Sequence, residues 1–279
     1  MRKIYLIVLL LSISICYAQK GFVYEYKYLP DAEEKDFIVT DYMQLDIDRR
    51  KSNYYSQSIK KTDSLINIIE KLNTSDFPKY NPNINYRISK DFLLNEVAIH
   101  IKFGNINFKI EETEKPAWKI INEKKTISNY ICQKATTNYL GREWIAWFTN
   151  DIPFQDGPYK FNGLPGLVVQ ISDSENEHSF ELIQIKNIPN FKPNKIHQEK
   201  TILWNQYYKL MVETAQDVNS NIDRMVVSPN GYSFVLKDGN IMHVDKNKKN
   251  IEEILSEEIK RLKNPIESDK LKMYNRSVK

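Results

Sequence analysis

The chain has 279 residues, with 40 Lys and Arg against 36 Asp and Glu, a formal charge of +4 and 41% hydrophobic residues. A balance this close to neutral, with no basic stripe interleaved with aromatics, excludes a nucleic-acid platform and an electrostatic funnel for acidic substrates. Two cysteines are too few for a disulfide framework.

Arg2 and Lys3 precede an apolar-to-small run from Ile4 to Ile15, followed by Cys16, Tyr17, Ala18 and Gln19. This pattern predicts a secretory signal peptide over residues 1–18, cleaved after Ala18, with export to the periplasm, the outer membrane or the medium. The run is too short for the roughly 20 residues a spanning helix needs, and the later apolar segments are shorter still, so no transmembrane segment is expected. Acylation of Cys16 is the alternative, disfavoured because bulky Ile15 stands where such processing requires a small residue. Loss of Arg2 and Lys3 takes the 40 basic residues to 38, a net charge of +2 against 36 acidic ones. Cys132 is then the only thiol and is expected as a small buried side chain on a strand.

Val23 to Leu29 alternates so that Phe22, Tyr24, Tyr26 and Tyr28 share one face and Glu25 and Lys27 the other, the period of a half-buried strand. Phe37 to Ile47 alternates likewise and is expected to pair with it as a hairpin, with Lys51 to Gln57 as a third strand. Between Ile59 and Leu72 the period changes, with Leu65, Ile66, Ile69 and Leu72 at helical spacing. Tyr86 to Ile88, Glu96 to Phe103 and Ile106 to Ile110 read as strands, the last two joined by a Gly104-Asn105 turn. His100 falls on the polar side of this hairpin, and no second histidine stands at ligand spacing. Trp118 to Ile121 is a short strand, and Asn129 to Asn138 with Arg142 to Thr149 form a hairpin turning near Leu140-Gly141. Trp144, Ala146 and Phe148 share one face of its second arm and Ile145 and Trp147 the other, which places that arm inside a sheet. Leu167 to Ser172 and His178 to Lys186 form the next hairpin. Ile202 to Thr214 is helical in period, Arg224 to Val227 and Tyr232 to Val244 suggest a last pair of strands, and Asn250 to Lys263 reads as an amphipathic helix. The expected fold is α+β over a single domain from residue 19 to 279, a large curved antiparallel sheet, barrel-like or an open half-barrel, with a few packed helices.

Asn150 to Ile171 links two of these strands and holds Gly157, Gly163, Gly166, Pro153, Pro158 and Pro165, so its path is set residue by residue. Leu164-Pro165-Gly166-Leu167 has the composition of a type II turn, with positive φ expected at Gly166. Two readings follow. In one the loop is a rigid rim displaying Tyr159, Lys160 and Asn162 to a ligand. In the other, which the many apolar side chains favour, it caps the core with Tyr159, Phe161 and Leu164.

The run from Cys132 to Asp173, CQKATTNYLGREWIAWFTNDIPFQDGPYKFNGLPGLVVQISD, resembles the signature core of the GLPGLI family of exported Bacteroidota proteins. Cys132 with Lys134-Ala135, Trp147, Ile152-Pro153, Gly157-Pro158 and Gly163-Leu164-Pro165-Gly166-Leu167 stand in the family's order, with Val168 where the family's name has isoleucine. Asn264-Pro265-Ile266-Glu267 is similar to its terminal segment. The resemblance implies export from a Gram-negative cell and supplies no catalytic positions to carry over.

Nothing in the sequence has the form of a phosphate loop, nucleophile elbow or HExxH or CxxC motif, so neither a cofactor nor a metal is implied. The expected function is a non-enzymatic periplasmic or surface-associated module binding an apolar or peptide-like ligand on an aromatic-rich sheet, since 12% of the chain is aromatic. The alternatives are a hydrolytic or thiol-dependent enzyme using Cys132 with His178 or His100, and an accessory of an outer-membrane transporter docking through a strand edge or the Asn150 to Ile171 loop.

Overall fold

The computed structural model describes residues 19–60, 84, 86–103, 106–188, 191, 198–216, 222–228, 231–236, 241–245 and 263–277. The leader, the expected helix beyond Lys60, the Gly104-Asn105 turn and all but the last residue of the expected helix from Asn250 to Lys263 lie outside the described residues.

Alternation sets the strands. β1 (Lys20–Tyr28), β2 (Val39–Ile47), β3 (Lys51–Ser56), β4 (Tyr86–Asp91), β5 (Glu96–Phe103) and β6 (Ile106–Glu112) come first. They are followed by β7 (Lys119–Ile127), β8 (Tyr130–Tyr139), β9 (Arg142–Thr149), β10 (Leu167–Asp173), β11 (His178–Asn187) and the short β12 (Glu199–Thr201). All twelve lie in one sheet ordered β12-β6-β5-β4-β3-β2-β1-β11-β10-β9-β8-β7. The sheet is open, ending at β12 and β7. Each adjacent pair is antiparallel except β12 with β6, which is parallel and makes the sheet mixed. Helix α1 (Trp204–Gln216) and helix α2 (Ser268–Ser277) pack on each other. β13 (Ile222–Ser228), β14 (Gly231–Leu236) and β15 (Ile241–Asp245) form a separate three-stranded antiparallel sheet, one strand more than the pair expected.

The expected hairpins are present, β1 with β2 and β8 with β9. The turn between β8 and β9 puts Leu140 at φ 58° and Gly141 at φ 76°, the double left-handed conformation whose twist suits a two-residue hairpin. β2 begins at Val39, two residues later than alternation suggested, leaving Phe37 and Ile38 exposed. Sequence gave no warning that β1 also pairs with β11, from Lys20 opposite Asn187 to Tyr28 opposite His178. That pairing joins the two halves of the chain into one sheet.

The sheet is strongly curved. β4 and β8 stand seven strand intervals apart in its order, roughly 33 Å if flat. Yet Tyr86 of β4 packs edge-on against Tyr159, and Tyr139 of β8 does the same against Phe161, two residues further along one loop. The inner face carries Phe22, Tyr24, Tyr26, Met43, Leu45, Tyr54, Ile88, Ile99, Trp144, Ala146 and Phe180, all buried. The loop between β9 and β10 fills the trough: Phe161 meets Trp144 and Phe180, and the Tyr24 hydroxyl donates to the Val168 carbonyl at 2.7 Å. Among the described residues no helix is long and apolar enough to cross a membrane.

Candidate functional site

The loop from Asn150 to Gly166 behaves as a plug: Tyr159, Phe161 and Leu164 cap the core as the favoured reading has it, and the alternative display of Tyr159 and Lys160 is corrected by their burial. Tyr159 is 2% exposed and Lys160 1%. Tyr159 adopts φ 51°, left-handed and costly for an aromatic residue, and is held there by ring contacts with Tyr54, Tyr86 and Phe161. Leu164 and Leu167 are buried too, and Pro158, also buried, accepts the Phe161 N–H at 3.1 Å. The glycines have reasons different from the turn predicted. Gly163 takes the positive φ, at 90°, while Gly166 does not. A Cβ at Gly166 would lie 2.1 Å from the Thr149 carbonyl oxygen, and one at Gly157 2.7 Å from the Val168 Cβ. Both are small so that backbone can approach, the other standard use of glycine.

Burying Lys160 requires partners. Its ammonium donates to Glu112 Oε2 at 2.5 Å and lies 3.1 Å from Glu267 Oε1, outside hydrogen-bond geometry. Burial lowers Lys160 to about 8, with Glu112 opposing the shift. Burial would raise Glu112, but the Lys160 charge and hydrogen bond outweigh it and leave it lowered. Glu267 is raised to about 8, by burial and by repulsion from Glu112. Near neutral pH the cluster therefore holds one ammonium, one carboxylate and one protonated carboxyl, with no net charge.

Glu267 ends the Asn264-Pro265-Ile266-Glu267 segment, which docks on the same region. The Asn264 side chain donates to the Leu29 carbonyl at 2.9 Å and accepts from Arg142, which also reaches the Pro265 carbonyl at 3.0 Å. Arg142 further pairs with Asp173 and Glu177, each at 2.7 Å. His178 Nε2 faces the Asn264 carbonyl at 3.1 Å, which assigns the ring proton to that nitrogen, so Nδ1 accepts from the Tyr26 hydroxyl at 2.7 Å. Burial, aided by Arg142, pushes His178 well below its ordinary value. His178 is thus a neutral structural connector.

Beside the plug opens a cleft of about 660 Å³. Its walls are the β2–β3 turn (Asp48, Arg49), the β4–β5 turn (Phe92, Asn95) with Glu96 at the start of β5, and the loop face that carries Phe154, Asn162 and Gly163. At its floor lies a second buried ion pair, Lys90 with Asp156, each side chain 1% exposed. Lys90 also donates to the Gly157 carbonyl at 2.9 Å, and burial lowers its pKa against the pull of Asp156. Asp156 Oδ1 takes Lys90 and the Gly157 N–H, whereas Oδ2 is buried with no hydrogen-bond partner. The β4–β5 turn is held by Asp91, whose carboxylate accepts the Leu93 and Leu94 N–H groups at 3.0 and 3.1 Å, and it presents Leu93 and Leu94 to solvent. Of the three residues expected on display, only half-buried Asn162 lines the cleft, its carbonyl fixed by the Trp118 indole N–H at 2.7 Å.

Cys132 is fully buried with its sulfur 3.6 Å from the Tyr130 carbonyl, and burial raises its pKa. Both nitrogens of His178 and of His100 are engaged by other groups. Cys132 is thus the buried strand residue expected, and among the described residues nothing supports the alternative of a thiol activated by His178 or His100. Sequence reasoning missed Lys90, Asp156, Glu112 and Glu267, although two of them left a trace. Lys90 continues the inward phase of Tyr86 and Ile88, and Glu112 that of Phe108 and Ile110, so each strand runs its apolar face onto a charge.

A family model described as "Protein of unknown function (Porph_ging)" matches residues 140–170, from the β8–β9 turn through the plug into β10. Two solved structures of PNGF-II are similar to the chain. The one in space group P21 has a TM-score of 0.51 at 16% identity, covering 77% of this chain and 36% of that one. The one in space group C2 has a TM-score of 0.50 at 19% identity, covering 76% and 35%. The chain spans about a third of the length of these structures, and at such identity the likeness concerns the fold alone. No curated protein matches the chain.

Proposed function

We propose that the protein is an exported binding module of GLPGLI type, whose cleft beside the plug takes a peptide-like ligand. The observation that carries this reading is the lining of the cleft, where carboxylates and apolar side chains meet above the buried Lys90–Asp156 pair. The lining carboxylates Asp48, Asp91, Glu96 and Asp156 outnumber the cations Arg49 and Lys90, so a donor-rich or cationic ligand fits better than an anion. Phe92, Phe154, Val97 and Pro153 supply apolar wall, and a volume of about 660 Å³ is within the usual range for small-ligand sites. A peptide offers both chemistries. Export rests on the leader-like residues 1–18 and on the family resemblance. The accessory reading draws less support, because the edge strand β7 carries Lys119, Lys124 and Lys125, the charges that discourage strand addition.

Native mass spectrometry of the protein incubated with a mixture of short peptides, some basic, tests the proposal. Binding is expected for the wild type, weakened at least tenfold in Phe92→Ala, whose side chain is 38% exposed, and in Glu96→Gln, an exposed carboxylate of the lining. A wild type that retains no peptide at high micromolar concentration, or equal binding by both variants, refutes it.

A further inference from the structure

On the outer face of the sheet, away from the plug, three side chains form a hydrogen-bonded chain that the cleft does not use. Ser89 of β4 alternates outward between the inward Ile88 and Lys90, and His100 of β5 alternates outward between Ile99 and Ile101. Ser89 Oγ lies 2.8 Å from His100 Nε2, and His100 Nδ1 lies 2.6 Å from Glu199 Oε1 of β12. The parallel pairing of β12 with β6 sets Glu199 opposite Asn107, and brings the carboxylate to the imidazole across 99 residues of sequence.

These contacts fix the roles. A carboxylate only accepts, so Nδ1 carries a ring proton, and in the neutral ring the Nε2 lone pair faces the serine hydroxyl. Imidazole with its acceptor nitrogen on a hydroxyl and its donor nitrogen on a carboxylate is the relation by which a serine is activated for attack on an acyl carbon, and it is recognised by geometry, not by sequence motif. His100 is 8% exposed and Glu199 17%, so the pair is shielded from bulk water, while Ser89 is half-buried. Asn53 stands directly across from Ser89 on β3, and Arg87 across from His100 on β4. An amide and a guanidinium, group types that stabilise an oxyanion, thus neighbour Ser89 in the register, each also engaged with another group.

We propose that Ser89, His100 and Glu199 form an acyl-transfer site that hydrolyses small carboxylic esters. Ser89 Oγ bonds to the ester carbonyl carbon as its proton passes to His100 Nε2. The bond to the alcohol oxygen then breaks, and that oxygen leaves with the proton from Nε2. Water attacks the acyl-serine, giving one proton to Nε2 and its hydroxyl to the acyl carbon. The serine departs as the carboxylic acid forms, and the proton returns to Oγ. Glu199 keeps the imidazole in the required tautomer throughout. This site is independent of the peptide-binding cleft, and either assignment stands or falls without the other.

The test is labelling of the full chain with a fluorophosphonate probe, with the adduct mapped by peptide mass spectrometry and 4-nitrophenyl acetate hydrolysis followed in parallel. One adduct on Ser89 is expected, lost in Ser89→Ala, with a labelling rate reduced on the order of 10³-fold in His100→Gln and at least tenfold in Glu199→Gln. Circular dichroism melts accompany each variant. Should His100→Gln fail to fold, the Ser89→Ala and Glu199→Gln comparison decides alone. A folded wild type unlabelled at Ser89, or labelled at the same rate after the Glu199 change, overturns the assignment and leaves the three residues as a structural network. Ester hydrolysis that persists unchanged in Ser89→Ala does so as well.

Discussion

Replacing Glu267 by Gln isolates the proton held in the buried cluster. The folded carboxyl is raised to about 8, by burial first and by Glu112, against 4.5 for the free side chain. Between these values the folded chain binds one more proton than the unfolded chain. The stabilisation from Glu267 is therefore complete below about pH 4.5 and falls by about 1.4 kcal/mol per pH unit until pH 8. His178 runs the other way. Its folded pKa is depressed, so the unfolded chain takes up a proton below 6.5 that the folded chain refuses, and stability rises with pH only up to about 6.5. Lys160, lowered to about 8 from 10.5, adds a rise only above pH 8. From pH 6.5 to 8 the Glu267 effect stands largely alone, and 1.5 units give roughly 2 kcal/mol, or about 4–8 °C in Tm for a chain of this size. Thermal melts by circular dichroism at pH 6.5, 7.2 and 8.0, at constant ionic strength, read this directly. The wild type is expected to lose several degrees across the window. Glu267→Gln, a neutral isostere of the protonated carboxyl, is expected to lose almost none and to overtake the wild type by pH 8. Equal slopes in the two proteins, or a wild type that gains stability over this range, would refute the assignment of a protonated Glu267.

Other outcomes follow from the same geometry. Lys160→Met leaves Glu112 buried without its cation and is expected to cost about 3–5 kcal/mol by urea titration, with much of the loss recovered in a Lys160→Met, Glu112→Gln double variant. The two loop glycines should separate in the same assay. Gly166→Ala drives a methyl to 2.1 Å from the Thr149 carbonyl oxygen and is expected to prevent folding or cost more than about 4 kcal/mol. Gly163→Ala meets nothing nearer than Trp118 at 4.0 Å and is expected to cost only the torsional strain of φ 90°, about 1–3 kcal/mol. Cys132, fully buried with a raised thiol pKa, should react with Ellman's reagent only as fast as the protein unfolds; rapid reaction in the native state would show that β8 opens locally.

Much of the fold was legible because the sheet period is local. The alternation of Phe22, Tyr24, Tyr26 and Tyr28 names the face β1 buries, and Leu140-Gly141 names the turn that joins β8 to β9, each from a few adjacent residues. The density of glycine and proline between Asn150 and Ile171 likewise announced a loop of fixed path. Alternation says which face is apolar but not which strand lies alongside, so the pairing of β1 with β11 and the eight-strand curl that brings Tyr86 and Tyr139 to one loop were decided only by tertiary structure. The burial of Lys160 was not legible for the same reason. A lysine is expected at the surface unless its partners are known, and the partners of Lys160 come from β6 and from the terminal segment, 48 and 107 residues away. The unpaired oxygen of Asp156 and the chain from Ser89 through His100 to Glu199 exist only where distant strands meet. Local chemistry determined which segments become strands and where the backbone must bend; the closing of the sheet around its plug determined which charges are buried, which are paired, and where a ligand can reach them.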